Sequence, residues 1–166
     1  MKLLYARHQL RTYRFLLRLV KGAALAEDLA SDVFLDVWRQ AGKFEGRSSV
    51  STWILSIARF KALSSFRRRS HDTSDQETME AIEDESDTPE VSLQKVSKAE
   101  ALRLCLGRLS REHREVIDLV YYHERSVDEV GQILGIPEST VKTRMFYARK
   151  RLSEILRAAG IDRGWP

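Results

Sequence analysis

SVDEVGQILGIPESTVKTRMFYARKR, residues 126–151, is the stretch that decides the fold. Ser126 and Glu129 stand at capping-box spacing: the hydroxyl satisfies a free amide at a helix start and the carboxylate reaches back, so a helix begins near Val127. Val130 and Leu134 give that helix an inner face, Gly131 leaves room for a second helix to come close, and Gly135 stops it in a tight turn. Ile136 enters the core, and Pro137 suits a turn or a first helical position. Val141 and Met145 supply the buried side of a following helix. Its other side reads Glu138, Ser139, Lys142, Thr143, Arg144, Phe146, Tyr147, Arg149, Lys150 and Arg151. This pattern predicts a helix-turn-helix. The first turns of the second helix in such a motif enter the DNA major groove, where Arg or Lys read guanine and small polar groups read several base edges. A merely solvated basic helix would share the charge, but not the glycine placement and the apolar spacing together.

The block holding this motif runs from Lys98 to about Ala158, and an acidic window precedes it. Between His71 and Glu90 lie nine carboxylates and no Lys or Arg, so the net charge of +4 conceals a far more positive remainder. That is the electrostatic footprint of a chain that meets a polyanion. The window is rich in Ser and Thr, contains Pro89 and lacks apolar periodicity. Residues 70–97 therefore read as a solvated linker between two helical blocks. Two roles stay open for it: a plain tether, or an acidic segment that lies in a basic channel and competes there with nucleic acid.

The first block, residues 1–69, opens with Leu3, Tyr13, Leu16, Leu17 and Val20 at roughly helical spacing, followed by a second stripe at Leu25, Leu29, Val33 and Val37. Two packed helices are implied. On the second, Asp28, Asp32 and Asp36 recur every four residues and place three carboxylates beside the apolar stripe. Like charges at this spacing destabilise an isolated helix by a few tenths of a kcal/mol per pair, so a basic partner is expected. Gly42 and Gly46 bracket a polar loop, after which Trp53, Ile54, Ile57, Ala58 and Leu63 resume a helix ending in Phe66-Arg67-Arg68-Arg69. Arg59, Lys61, Arg67, Arg68 and Arg69 can contact phosphates, while Phe44, Trp53, Phe60 and Phe66 offer faces for unstacked bases. The same aromatics at helical spacing would equally suit a core.

Several classes are excluded. The 43% apolar fraction is that of a soluble globular protein. The longest apolar runs are broken by arginine well short of the roughly 20 residues a bilayer demands. The start also lacks a secretory pattern, so a cytoplasmic location is expected. Cys105 is the only cysteine, which rules out an internal disulfide and reads as a small buried apolar residue. His8, His71, His113 and His123 do not cluster at metal or triad spacing and no Gly-rich phosphate loop is present, so neither an enzyme nor a cofactor is expected.

Over nearly its whole length the chain resembles the extracytoplasmic-function (ECF) group of the sigma-70 family. AEDLASDVFLDVW, residues 26–38, is similar to the family segment that packs on the clamp helices of the largest RNA polymerase subunit. The resemblance gives Asp28, Asp32, Phe34 and Trp38 the polymerase contact. FEGRSSVSTWI, residues 44–54, resembles the loop and helix start that recognise the −10 element and capture a flipped non-template base. It implies −10 contacts from Phe44, Arg47, Ser48 and Ser49, joined by Arg59, Lys61, Arg67 and Arg68. GIPESTVKTR, residues 135–144, resembles the −35 reader. Ser139, Lys142, Thr143, Arg144, Phe146, Tyr147 and Arg149 then face DNA, and the preceding helix, Leu109 to Tyr122, meets the flap of the second-largest polymerase subunit. The implied architecture is all-α: a region 2-like domain (1–69), the acidic linker (70–97) and a region 4-like domain (98–166). The implied partners are core RNA polymerase, promoter DNA and an anti-sigma factor that holds the protein inactive and could tether it indirectly to a membrane. Two DNA-binding blocks held on one polymerase gain effective concentration that neither has alone.

The chief rival is a stand-alone helix-turn-helix regulator that binds operators as a dimer. Nothing in the first block reads as a dimerisation heptad, and the acidic stripe and aromatic-basic helix would lack a role. The rival would bind duplex DNA alone, whereas a sigma factor binds promoters poorly without polymerase.

Overall fold

The computed structural model describes residues 1–72 and 97–161. All regular structure among them is helical: α1 (Lys2–Val20), α2 (Ala23–Gln40), a 3-10 turn (Ala41–Lys43), α3 (Val50–Asp72), α4 (Lys98–Gly107), α5 (Arg111–Ile117), a π-helical turn (Asp118–Tyr122), α6 (Val127–Leu134) and α7 (Glu138–Ala158). The chain divides into two compact units. One is built on α1–α3; α4, α5, the start of α6 and α7 belong to the other. The acidic window falls almost wholly outside the described residues; only its edges are seen, with Ser70, His71 and Asp72 prolonging α3 and Ser97 preceding α4.

In the first unit each helix packs on the other two. Phe15 and Leu16 of α1, Leu29, Val33 and Val37 of α2, and Ile54 and Leu55 of α3 are buried, with Ala26, Ala58 and Ala62 among them. Side chains as small as these alanines let helix backbones approach closely, so this core is compact rather than bulky. The turn from α1 into α2 is made by Lys21, at φ 57, whose backbone N–H donates to the Leu17 carbonyl. Gly22 follows as the N-cap of α2. A connection this short fixes the two helices as antiparallel neighbours.

In the second unit α7 packs on α4 and α5. Its buried residues Val141, Met145, Ala148, Leu152, Ile155 and Leu156 recur at three- and four-residue steps, the seam of an amphipathic helix. Ala101 and Cys105 of α4 and Val116 and Ile117 of α5 are buried as well. Burial pushes the Cys105 thiol above its ordinary pKa, with Arg108 partly opposing, so it stays protonated and serves as a core residue. The stretch expected as one helix from Leu109 to Tyr122 is helical without a break from Arg111 to Tyr122, its last turn widened to a π turn. Ser110 caps α5, its hydroxyl accepting from the His113 amide, and the wider π-helical turn closes with the His123 amide donating to the Asp118 carbonyl at 3.1 Å. The His123 side chain is buried with Nε2 at 3.4 Å from Asp118 Oδ2, a contact across the π turn itself that a period of 3.6 does not announce.

α4 begins in a complete capping box between Ser97 and Glu100. Ser97→Ala leaves one amide of the first turn without its side-chain acceptor and is expected to cost about 1 kcal/mol. In a unit of this size that lowers the thermal midpoint by roughly 4–8 °C. An unchanged melting curve would mean that the Ser97 cap contributes nothing to the stability of its unit.

Candidate nucleic-acid interface

The helix-turn-helix is assembled as its residues require. The Ser126 hydroxyl accepts the Glu129 amide at 3.2 Å, while the Glu129 carboxylate takes the Arg125 guanidinium at 2.8 Å. Val130, Ile133 and Leu134 are buried. Gly135 adopts φ 68, a left-handed conformation that costs a residue with a Cβ about 1–2 kcal/mol. Pro137 is the N-cap of α7 rather than its first residue.

Opposite the buried seam of α7, Ser139, Lys142, Thr143, Phe146, Tyr147, Arg149 and Lys150 are exposed. Phe146 and Tyr147 meet edge to face at 5.3 Å. Two hydroxyl-bearing or cationic residues are turned back on the helix: Thr143 Oγ1 donates to the Ser139 carbonyl at 3.0 Å and Arg149 Nε to the Met145 carbonyl at 3.4 Å. Arg144 differs from its neighbours, since its guanidinium is 24% exposed and lies 3.6 Å from Glu112 at the start of α5. Arg144 therefore bridges two helices of its own unit. Glu112 is 67% exposed, so the pair is worth no more than about 1 kcal/mol. A double-mutant cycle of Arg144→Ala and Glu112→Ala on thermal stability should return a coupling of that size. A coupling of zero would leave Arg144 without a structural task.

In the first unit the acidic stripe splits. Asp28 and Asp32 are exposed, while Asp36 accepts Lys61 of α3 at 2.8 Å, the basic partner that the spacing calls for. Lys61, expected to meet phosphate, is thus drawn to a carboxylate of its own unit. Phe34 and Trp38 are one turn apart, yet Phe34 is 6% exposed and edge-on to Tyr5 of α1 at 5.0 Å, whereas Trp38 is 64% exposed. Leu35, absent from the expected contacts, is exposed beside them.

The loop before α3 is shaped from within. Gly46 sits at φ 70, and Glu45 and Arg47 on either side of it pair at 2.8 Å. Phe44 stacks on Trp53 with ring centroids 4.7 Å apart and planes tilted by 31°, both half-buried. The Ser49 hydroxyl accepts the Thr52 amide at 3.2 Å and donates to Thr52 Oγ1 at 3.0 Å, so this expected DNA contact also caps α3. Farther along, Phe60 is 71% exposed, Arg59 and Phe66 are half-buried, and Arg67, Arg68 and Arg69 are exposed. Among the described residues no group of three or more His, Cys, Asp and Glu could hold a metal ion, and no helix is long and apolar enough to cross a membrane.

The three-helix unit and the unit with the helix-turn-helix each match a domain of one class of protein, the sigma factors. The Sigma-70 region 2 family matches residues 4–71 and the Sigma-70, region 4 family matches residues 105–154. The chain is 33% identical to the ECF RNA polymerase sigma factor SigL of Mycobacterium tuberculosis over 168 residues, covering 98% of this chain and 92% of the relative. It is 32% identical to the ECF RNA polymerase sigma factor SigX of Bacillus subtilis, covering 97% and 87%. Among solved structures, the sigma factor RpoE of Bartonella quintana, in complex with the anti-sigma factor NepR, superimposes with a TM-score of 0.74 at 25% identity over 94% of this chain and 96% of that one. CnrH, in complex with the cytosolic domain of CnrY, gives 0.64 at 20% identity over 95% and 87%, a likeness of fold. The chain belongs to the ECF sigma factors of the sigma-70 family. It is a transcription initiation factor, not an enzyme, and its partners are core RNA polymerase and promoter DNA. The stand-alone regulator is thereby set aside.

Proposed function

We propose that three surfaces divide the work of this sigma factor. The exposed face of α2, with Asp28, Asp32, Leu35 and Trp38, docks on the clamp helices of the largest polymerase subunit. The loop of residues 44–49 with the exposed side of α3 takes the −10 element, and the outer face of α7 reads the −35 element. Domain limits near residues 69 and 98 accompany this division. The observation that carries it is the two-sidedness of α7, whose seam is buried while Ser139, Lys142, Thr143, Phe146 and Tyr147 are all exposed. A helix with such a face fits a major groove, and its cations supply the salt-dependent part of the affinity.

Phe34 supports the α2 surface from inside, holding the helix against α1 rather than touching polymerase. Lys61 has the same supporting part through Asp36, which leaves Arg59, Arg67 and Arg68 for phosphates near the −10 element. The protein works in the cytoplasm, where core polymerase is found, and an anti-sigma factor covers its polymerase-binding face until a signal releases it. The likeness to a sigma factor solved with its anti-sigma factor supports that regulation.

Run-off transcription tests the whole reading: purified core polymerase and a genomic promoter pool, with and without the protein, followed by mapping of transcript starts. New transcripts that share paired upstream elements are expected. Absence of both transcripts and core-polymerase binding would overturn it.

A further inference from the structure

α1 carries Lys2, Arg7, Arg11, Arg14 and Arg18 and no acidic residue at all. Arg7, Arg11, Arg14, Arg18 and, at the helix end, Lys21 follow one another at steps of four, three, four and three, which lines them along a single face at 3.6 residues per turn. All five are exposed. Same-sign neighbours three and four apart oppose helix formation, and this helix offers no carboxylate of its own to relieve them. Within α1 itself such a stripe is a cost.

Its position follows from two contacts. Tyr5 meets Phe34 of α2 and His8 Nδ1 lies 3.4 Å from Ser51 Oγ of α3. Turning about the α1 axis from Tyr5 to His8 leads on, in the same sense, to Arg11, Arg18, Arg7, Arg14 and Lys21. The stripe therefore begins, at Arg11 and Arg18, beside the flank of α1 that faces α3 and reaches round to the outer side opposite Tyr5, away from α2. The same construction on α3, from Lys61 on the α2 side through Ser51 on the α1 side, leads on to Phe66 and Arg59. Arg11 and Arg18 at the near side of the stripe border the same edge of the unit as Arg59.

We infer that the arginine stripe of α1 is a second DNA-backbone surface of this sigma factor, continuing the phosphate contacts of α3 onto α1. The inference rests on the assignment of α3 to the −10 element. From Arg7 to Lys21 the stripe is about 21 Å long. Over that length one strand of a duplex presents roughly six phosphates at 3.4 Å each along its axis. An unbroken row of one charge matches a polyanion with an unbroken row of the other, and it reads no bases. Its part is to hold and steer DNA that α3 and the loop before it recognise.

The test combines Arg7→Gln, Arg11→Gln and Arg14→Gln in the full chain, bound to core polymerase. The probe is a fluorescein-labelled promoter fragment whose start has been mapped by run-off transcription, titrated between about 50 and 200 mM salt. Removing three cations from the phosphate backbone should make the slope of log K against log salt shallower by about 2 to 3. Affinity at low salt should fall at least about tenfold. Core-polymerase affinity should not change. An unchanged slope would overturn the inference, and so would an equal loss in core-polymerase affinity, which would turn the stripe toward the enzyme. Should the triple variant melt early, Arg7→Lys, Arg11→Lys and Arg14→Lys together keep the charge and must restore DNA binding; failure to do so makes the stripe structural. If the wild-type protein forms no promoter complex with core polymerase, the sigma assignment of the surfaces fails instead.

Discussion

Trp38→Ala is expected to weaken binding to core RNA polymerase about thirtyfold or more while leaving the protein folded. A tryptophan that is 64% exposed on a helix, beside exposed Leu35 and Asp32, is costly to leave in water unless a partner covers it. Tryptophan is also the residue most enriched at the centre of interfaces, where truncation costs about 2 kcal/mol or more. Thermal stability should move by no more than about 0.5 kcal/mol, as for other exposed positions. Phe34→Ala is the control. It empties a buried site against Tyr5 and should cost about 3–5 kcal/mol, enough to unfold a small unit. Full polymerase affinity in the Trp38 variant would remove α2 from the polymerase interface; a large loss of stability in it would place Trp38 in the core.

Lys142→Glu should lower promoter affinity of the assembled polymerase by about 2–4 kcal/mol, because an attraction between ammonium and DNA is replaced by a repulsion between carboxylate and DNA. Lys142 is exposed on the second turn of α7, the part of a recognition helix that reaches base edges, and its removal should leave the fold of its own unit intact. The effect is read by titrating promoter fragments with and without the −35 element. It should be clearly smaller when that element is replaced, leaving only the sequence-independent repulsion from phosphate. A reduction of equal size on both fragments would make Lys142 a general phosphate anchor rather than a reader of sequence.

The helix-turn-helix was legible in the sequence because each of its parts is a local device. A hydroxyl three residues before an amide, a glycine in a left-handed turn and an apolar seam at steps of three and four leave marks that need no tertiary knowledge. The stripe of α2 was readable for the same reason, and so was the need of the acidic stripe for a basic partner; that of α1 was read less well, since Leu3 is exposed and the buried residues are Thr12, Phe15 and Leu16. What the sequence could not settle depends on which helix stands opposite. Phe34 and Trp38 share a face by period, but Tyr5 of α1 covers Phe34. In an antiparallel pair, the level of Trp38 is met only by the first residues of α1. Ser49, through the resemblance, and Lys61, by type, read as DNA contacts; in the structure one also caps α3 and the other pairs with Asp36. The π-helical turn before His123 had no signal at all. The arginine period of α1, by contrast, was in plain view, and only the placement of Tyr5 and His8 gave it a direction.

The cap at Ser49 has a consequence for how the loop before α3 can vary. Because the helix start is secured by Ser49 and Thr52, residues 45–48 stand clear of the framework, with Gly46 already in the conformation that turns them outward. On the proposal that this loop takes the −10 element, exchanging these residues should change promoter preference while α3 keeps its seat. The helix and the proposed reader are thus separable: one can be rewritten without unseating the other.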